Sequence, residues 1–473
     1  MEEYYADLLR IDPTLSAILG DKSDFAQRHY TNNISDQYIN KFKKILEKYK
    51  NTTDPVLKYI INLERESFKH QFEPIHFVPI TNPINDFKMY NDTLYKPGKL
   101  AYLSRQRDFD AYIKSCVQHM RRGIRIGVVL PKIICDQLIQ DIVDPHYFWF
   151  RDFLIKEYKP KCRESIGLCD MKSGNAMYKF LIRATCTFDI DPVTIHAYGK
   201  KEVTRILQLQ KTVKHVENTY CKSRREMLSE FRKHYKHINT VLMPKYFHMA
   251  DIPKTVCKIK AMPKHMEASG AGGNYYPNMN TFYVNARDLK EHAKENMYTL
   301  TLHETVPGHH FQFAHYSEKK LSLAKQFAVG NTALDEGWAL YAETLGPQNA
   351  GSLASQMFRA VRLVVDTGIH HYGWSFDQAL AYMMKYLPYK ESEMITEIKR
   401  YISIPAQALA YALGKQHIVQ LRDSFIKHKL GDIRDFHAFL FEDGTIPFEL
   451  IDAKLWKKIK AYKGMPTCKG VCN

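Results

Sequence analysis

Residues 302–312 read Leu-His-Glu-Thr-Val-Pro-Gly-His-His-Phe-Gln, and they sit inside a helical pattern. A hydrolytic metal site needs two neutral imidazoles, a third ligand and an open position for water. It also needs a carboxylate beside that water to take its proton. A His-Glu pair followed by a second histidine on one helix supplies both imidazoles and the base. The spacing here is unusual. At ~100° per residue a histidine four places on would share a face with His303, but Pro307 occupies that position. His310 returns to nearly the same face of an ideal helix, and His309 lies about a third of a turn away. Pro307 also clashes with the carbonyl of His303 and removes an amide donor, so the helix is not ideal, and a wide turn there would bring His309 round. Spacing alone leaves His309 and His310 both open as the second ligand.

The other half of the signal is Leu334-Asp335-Glu336-Gly337-Trp338-Ala339-Leu340-Tyr341-Ala342-Glu343, which reads as a second helix with Glu336 near its start. A carboxylate from a neighbouring helix completes a His₂Glu donor set, with Glu304 as the base.

Upstream of the first helix, Val256 to Met262 alternates apolar and lysine positions, and Thr281-Phe282-Tyr283-Val284-Asn285 is rich in β-formers. Between them, Ser269 to Asn274 reads as a flexible Gly-rich loop. Elsewhere helical periodicity dominates. Ser35 opens an amphipathic helix, Asp191-Pro192 reads as a cap with proline in the first turn, and Ser375-Phe376-Asp377-Gln378 is a capping box. The expectation is a mainly α fold with a small β element just before the metal-binding helix. It takes residues 1–473 as one large helical catalytic domain around a cleft, with lobes at 1–250 and 251–473 if it is two-lobed.

The composition is that of an ordinary globular chain, with 45% hydrophobic and 25% charged residues, which excludes wholesale disorder. No run approaches the ~18–20 apolar residues of a membrane span, and Met1-Glu2-Glu3 is not the start of a signal peptide. Nine widely spaced cysteines form no C-x-x-C pair, and Cys468 and Cys472 in the tail read as incidental. Reduced thiols in the cytoplasm and no membrane partner are the expectations. The +17 net charge raises the question of an anionic partner. Residues 200–264 carry Arg224, Arg225, Arg232, Lys233, Lys236 and Lys245 among aromatics, but no nucleic-acid-binding motif accompanies them. A solvated basic face is the simpler reading there, with nucleic acid the lesser partner. There is no G-x-S-x-G elbow, P-loop or dinucleotide fingerprint.

With both motifs on the page, the chain resembles the family called domain of unknown function 885, largely bacterial proteins related to thermolysin-like (gluzincin) zinc peptidases. The family pattern His-Glu-x-x-Pro-Gly-His-x-x-Gln is matched by His303, Glu304, Pro307, Gly308, His309 and Gln312, and Glu-Gly-Trp-Ala-x-Tyr-x-Glu by Glu336 to Glu343. The likeness extends to Arg163-Glu164-Ser165-Ile166-Gly167, to Tyr276 to Asn285, to Arg362 to His370, to Gly373-Trp374-Ser375 and from Arg400 to Lys415.

The resemblance implies zinc held by His303, His309 and Glu336, with Glu304 as general base on a bound water and a peptide as substrate. It points to Tyr411 and His370 as oxyanion donors, with Arg362 and Arg400 behind them. Glu343 and Asp335 are the candidates to hold the ligand imidazoles from behind. By analogy with the related clan, the strand at 281–285 is an edge for extended substrate, with Asn274, Tyr275 and Tyr276 lining the cleft. Competing readings are a peptidase fold kept as an inactive binding protein, and a basic nucleic-acid-associated protein. Oligomeric state and the choice between internal and terminal cleavage are not legible.

Overall fold

The computed structural model describes residues 1–70, 98–213, 219–264 and 272–462, together with 72, 75, 83–89, 91 and 267. Ser269, Gly270, Ala271, Cys468 and Cys472 lie outside the described residues. The fold is mainly α with one small sheet. None of the described helices is long and apolar enough to cross a membrane. The chain divides into two units, Met1–Leu181 with Val365–Ala406, and Ile182–Val364 with Gln407–Asn473. The units therefore interleave along the chain, unlike the successive lobes expected at 1–250 and 251–473.

The first unit is built around the 28-residue helix Lys99–Ile126. Its buried face carries Phe109, Tyr112, Ile113, Cys116, Val117 and Met120 at helical spacing. The helix ends at Gly127, whose φ of 76° is the left-handed conformation that glycine adopts without penalty. Ser375 caps the helix Phe376–Tyr386 in the expected capping box with Gln378.

The second unit holds both motifs. It begins with α1 (Pro192–Gln210), capped by Asp191 with proline in the first turn, and α2 (Arg224–His237), capped by Ser223. The sheet follows as β1 (Lys258–Ala261), β2 (Gly273–Tyr276) and β3 (Thr281–Val284), in the order β1-β3-β2. β1 runs parallel to β3 and β2 antiparallel, with Tyr275 opposite Phe282. β2 begins inside the stretch read as a loop. Gly273 lets the strand close on β3, since a Cβ there would stand 2.5 Å from the Phe282 ring. β2 rather than β3 is thus a sheet edge.

Ile259, Phe282 and Val284 pack with Met227 and Phe231 of α2 and with Met297. Met297 belongs to α3 (Lys294–Glu304). After it come α4 (His309–Glu318), α5 (Thr332–Glu343), α6 (Ala350–His370) and α7 (Ala410–Lys427). α5 and α7 approach backbone to backbone. A Cβ on Gly337 would lie 2.4 Å from the carbonyl carbon of Gly414, and one on Gly414 would lie 1.9 Å from the Ala333 oxygen.

Candidate metal centre

The histidine motif is two helices with a break between them. α3 ends at Glu304, Thr305 leaves helical geometry with φ −111° and ψ −119°, and α4 starts at His309. The Val306–Pro307 peptide is cis. The Gly308 amide donates to the Leu302 carbonyl at 3.0 Å. Only glycine fits at that position, because a Cβ would sit 1.8 Å from the His303 oxygen. Trp338 of α5 donates its indole N–H to the Pro307 carbonyl at 2.8 Å and so ties the second motif to the turn of the first.

The break sets His309, and not His310, beside His303 and Glu336. Nε2 of His303 and Nε2 of His309 each stand 3.5 Å from the same oxygen, Oε2 of Glu336. Their rings lie at right angles with centroids 5.0 Å apart. These three residues form a group able to hold a metal ion, with donor atoms all within 4.8 Å of one another. Both nitrogens of His310 are engaged elsewhere. Nε2 bonds the Thr255 carbonyl at 2.8 Å and Nδ1 the Tyr275 hydroxyl at 3.0 Å.

Glu343 lies behind His303, its Oε1 2.8 Å from Nδ1. An ionised carboxylate only accepts, so Nδ1–H donates to Glu343, and Nε2 is the nitrogen turned towards Glu336. Ser355 donates to the other Glu343 oxygen at 2.7 Å, and Arg359 donates to the Ser355 hydroxyl at 2.9 Å. Asp335, expected behind an imidazole, instead accepts from the Gln312 amide at 2.6 Å. Burial pushes its carboxyl up to about 7.

Burial is also the largest influence on Glu304, and raises its pKa against the opposing pull of His303 and His309. The backbone N–H of Tyr275 bonds its carboxylate. Glu336 is less deeply buried, and the two imidazoles beside it overcome its desolvation and hold it well below the usual carboxylate range.

Tyr276, on β2, is half-buried, with its ring against Tyr283 and its phenol within the electrostatic reach of Glu304. Tyr411, at the start of α7, is half-buried, its ring 4.7 Å from the Arg362 guanidinium and 5.9 Å from that of Arg359. Arg362 is buried and also stacks on Phe358 at 4.5 Å.

The structure corrects the expectation for His370. In the first unit its Nδ1 accepts from the Leu168 amide at 3.2 Å and its Nε2 bonds the Tyr401 carbonyl at 3.0 Å. Burial drives its pKa down to about 3, so the ring is neutral and neither nitrogen is left for an oxyanion. Arg400, in the same unit, pairs with Glu397 at 2.9 Å and lies over the Tyr401 ring at 5.1 Å.

Sequence reasoning missed Ser355, Arg359 and the pairing of Gln312 with Asp335. Ser355 and Arg359 are four apart on α6, a spacing that places them on one face, but nothing in the sequence says that the face meets Glu343. In the basic segment, Arg224 pairs with Glu267 at 2.7 Å and Arg232 donates to the Ile259 carbonyl at 2.8 Å, so part of that charge is structural.

Among curated proteins none matches the chain. Two solved structures share its fold. A candidate lipoprotein from Colwellia psychrerythraea has a TM-score of 0.78 at 21% identity, covering 97% of this chain and 98% of its own. A candidate lipoprotein of unknown function from Shewanella oneidensis has a TM-score of 0.68 at 18% identity, covering 96% and 98%. At these identities the likeness speaks for the fold. The family signature of DUF885, bacterial proteins of unknown function, matches residues 135–455, which take in both motifs, and the chain belongs to that family.

Proposed function

We propose that the protein is a zinc-dependent peptidase of the gluzincin type. The observation that carries the reading is the convergence of His303, His309 and Glu336 on one point, with Glu304 adjacent. Bonds of ~2.0–2.1 Å about a tetrahedral centre place neighbouring donors roughly 3.3–3.4 Å apart. The two imidazole-to-Glu336 distances of 3.5 Å fit that requirement, and two imidazoles with one carboxylate leave a fourth position open. Bound there, zinc supplies Lewis acidity, which lowers the pKa of a water from ~15.7 to about 7.

The chain's own residues do the rest. Glu343 fixes the His303 tautomer, and Trp338 and Gly308 shape the turn that delivers His309. Glu304, a buried carboxylate with a raised pKa, is suited to take a proton from water and pass it to the leaving amine. Tyr411 leads the candidates to donate to a developing oxyanion, with Arg362 beside it, since His370 has no nitrogen to spare. A cytoplasmic location is part of the same proposal. The seven described cysteines are free thiols, as expected of a reducing compartment.

The test is a pair of measurements on purified protein. Metal analysis is expected to find about one zinc per chain. Glu304→Gln is expected to keep the metal and lose hydrolysis of a mixed peptide library read by mass spectrometry. Hydrolysis by the glutamine variant at the wild-type rate removes Glu304 as the base. A chain that neither retains nor rebinds a divalent metal ends the catalytic reading.

A further inference from the structure

Lys415, on α7, is four residues from Tyr411 and points its Nζ at the Gln356 side-chain oxygen, 3.2 Å away. The same oxygen lies 3.4 Å from Nη2 of Arg205. Arg205 is already paired with Glu202 at 2.9 Å. Lys415 is not. Among the described residues no carboxylate oxygen comes within 4.0 Å of its Nζ, although it is half-buried and desolvation pulls its pKa down to about 8.

Arg359, three residues from Gln356, is in the same position. It donates to the Ser355 hydroxyl and carbonyl, and among the described residues its Nε is a buried donor with no acceptor. Both cations lie in the field of Glu343. A second cation beside it is costly to the fold unless an anion from outside completes the pair.

The place of this surplus is informative. Arg359 is linked to the metal ligand His303 through Ser355 and Glu343 by contacts of 2.9, 2.7 and 2.8 Å. Its guanidinium faces the ring of Tyr411. Arg359, Tyr411 and Lys415 all keep part of their surface open to solvent.

We infer that Arg359 and Lys415 receive a carboxylate carried by the peptide substrate, so that the site selects acidic or C-terminally free peptides over neutral internal segments. This rests on the peptidase reading and names its substrate class. The carboxylate has two sources, the peptide's own C-terminus or an aspartate or glutamate side chain.

The test is a binding titration of the full chain carrying Glu304→Gln, loaded with zinc, so that recognition is read without turnover. Three probes suffice: N-acetylated tetra-alanine as the free acid, the same peptide as its C-terminal amide, and the amide with one alanine replaced by glutamate. A carboxylate-bearing probe is expected to bind about tenfold or more tighter than the neutral amide, the scale of a charge-assisted contact. Preference for the acid assigns the C-terminus, and preference for the glutamate amide assigns the side chain. Lys415→Met and Arg359→Gln, each added separately and with the zinc content of each variant measured, are expected to abolish the preference, the carboxylate probes falling to the affinity of the neutral amide. Having both keeps the test open if one fails to fold. Equal binding of all three probes, no binding of any, or a preference that survives both substitutions overturns the inference. Wild-type protein that cleaves all three probes equally well sinks the carboxylate site and leaves the peptidase reading standing. A carboxylate preference in binding without hydrolysis of any probe does the reverse.

Discussion

Oε1 of Glu343 lies 2.8 Å from Nδ1 of His303, while Nε2 of the same ring lies 3.5 Å from Glu336. The imidazole is held at one end and presented at the other. Truncating Glu343→Ala frees the ring to rotate and to change tautomer. Zinc affinity, measured by competition with a chromophoric chelator, is expected to fall 10–100-fold. An unchanged affinity dissociates Glu343 from the centre.

The crossing of α5 and α7 has no room for a methyl group, because a Cβ on Gly414 would sit 1.9 Å from the Ala333 carbonyl oxygen. Gly414→Ala must push the helices apart, and α5 carries Glu336. A destabilisation of about 1–3 kcal/mol or more is expected from the overpacking, seen as a lowered Tm, together with weakened zinc binding. A variant with wild-type Tm and metal affinity contradicts the packing described.

His370 is predicted to act on stability rather than on turnover. His370→Ala leaves the Leu168 N–H and the Tyr401 carbonyl without their partner and opens a cavity in a fully buried place. A loss of about 2–5 kcal/mol is expected in chemical denaturation. A folded variant with wild-type stability and a selectively reduced kcat returns His370 to the catalytic list.

The pH dependence of stability carries a contribution from Asp366, whose carboxyl is raised by burial to about 7, against ~3.9 in an unfolded chain. The folded state therefore holds the proton more tightly. That stabilisation is fully present below about pH 4 and is lost as pH rises through about 7. Asp366→Asn removes the titrating group. Its Tm is expected to fall less than that of wild type between pH 4 and 8, and parallel curves refute the assignment.

Much of the site was legible because the chemistry is local. His303, Glu304 and Glu336 stand in short motifs with the residue types of an imidazole, a base and a carboxylate, and Ser375 and Asp191 announce their helices by capping chemistry that acts over three residues. β2 was not legible, since Gly273 and Asn274 have loop-like propensities and become a strand only by pairing with β3.

By itself, then, the sequence determined the helical class and the type of donors on offer, because helical periodicity and ligand type are properties of residues and short spacings. Only the tertiary structure set His309 rather than His310 beside His303 and Glu336, engaged both nitrogens of His370 in buried hydrogen bonds, and brought Ser355 and Arg359 behind Glu343 and Lys415 into its field. Those outcomes depend on a helix break pinned by Trp338 from another helix and on buried hydrogen bonds between residues up to 202 positions apart. No local spacing encodes partners at that range; packing selects them.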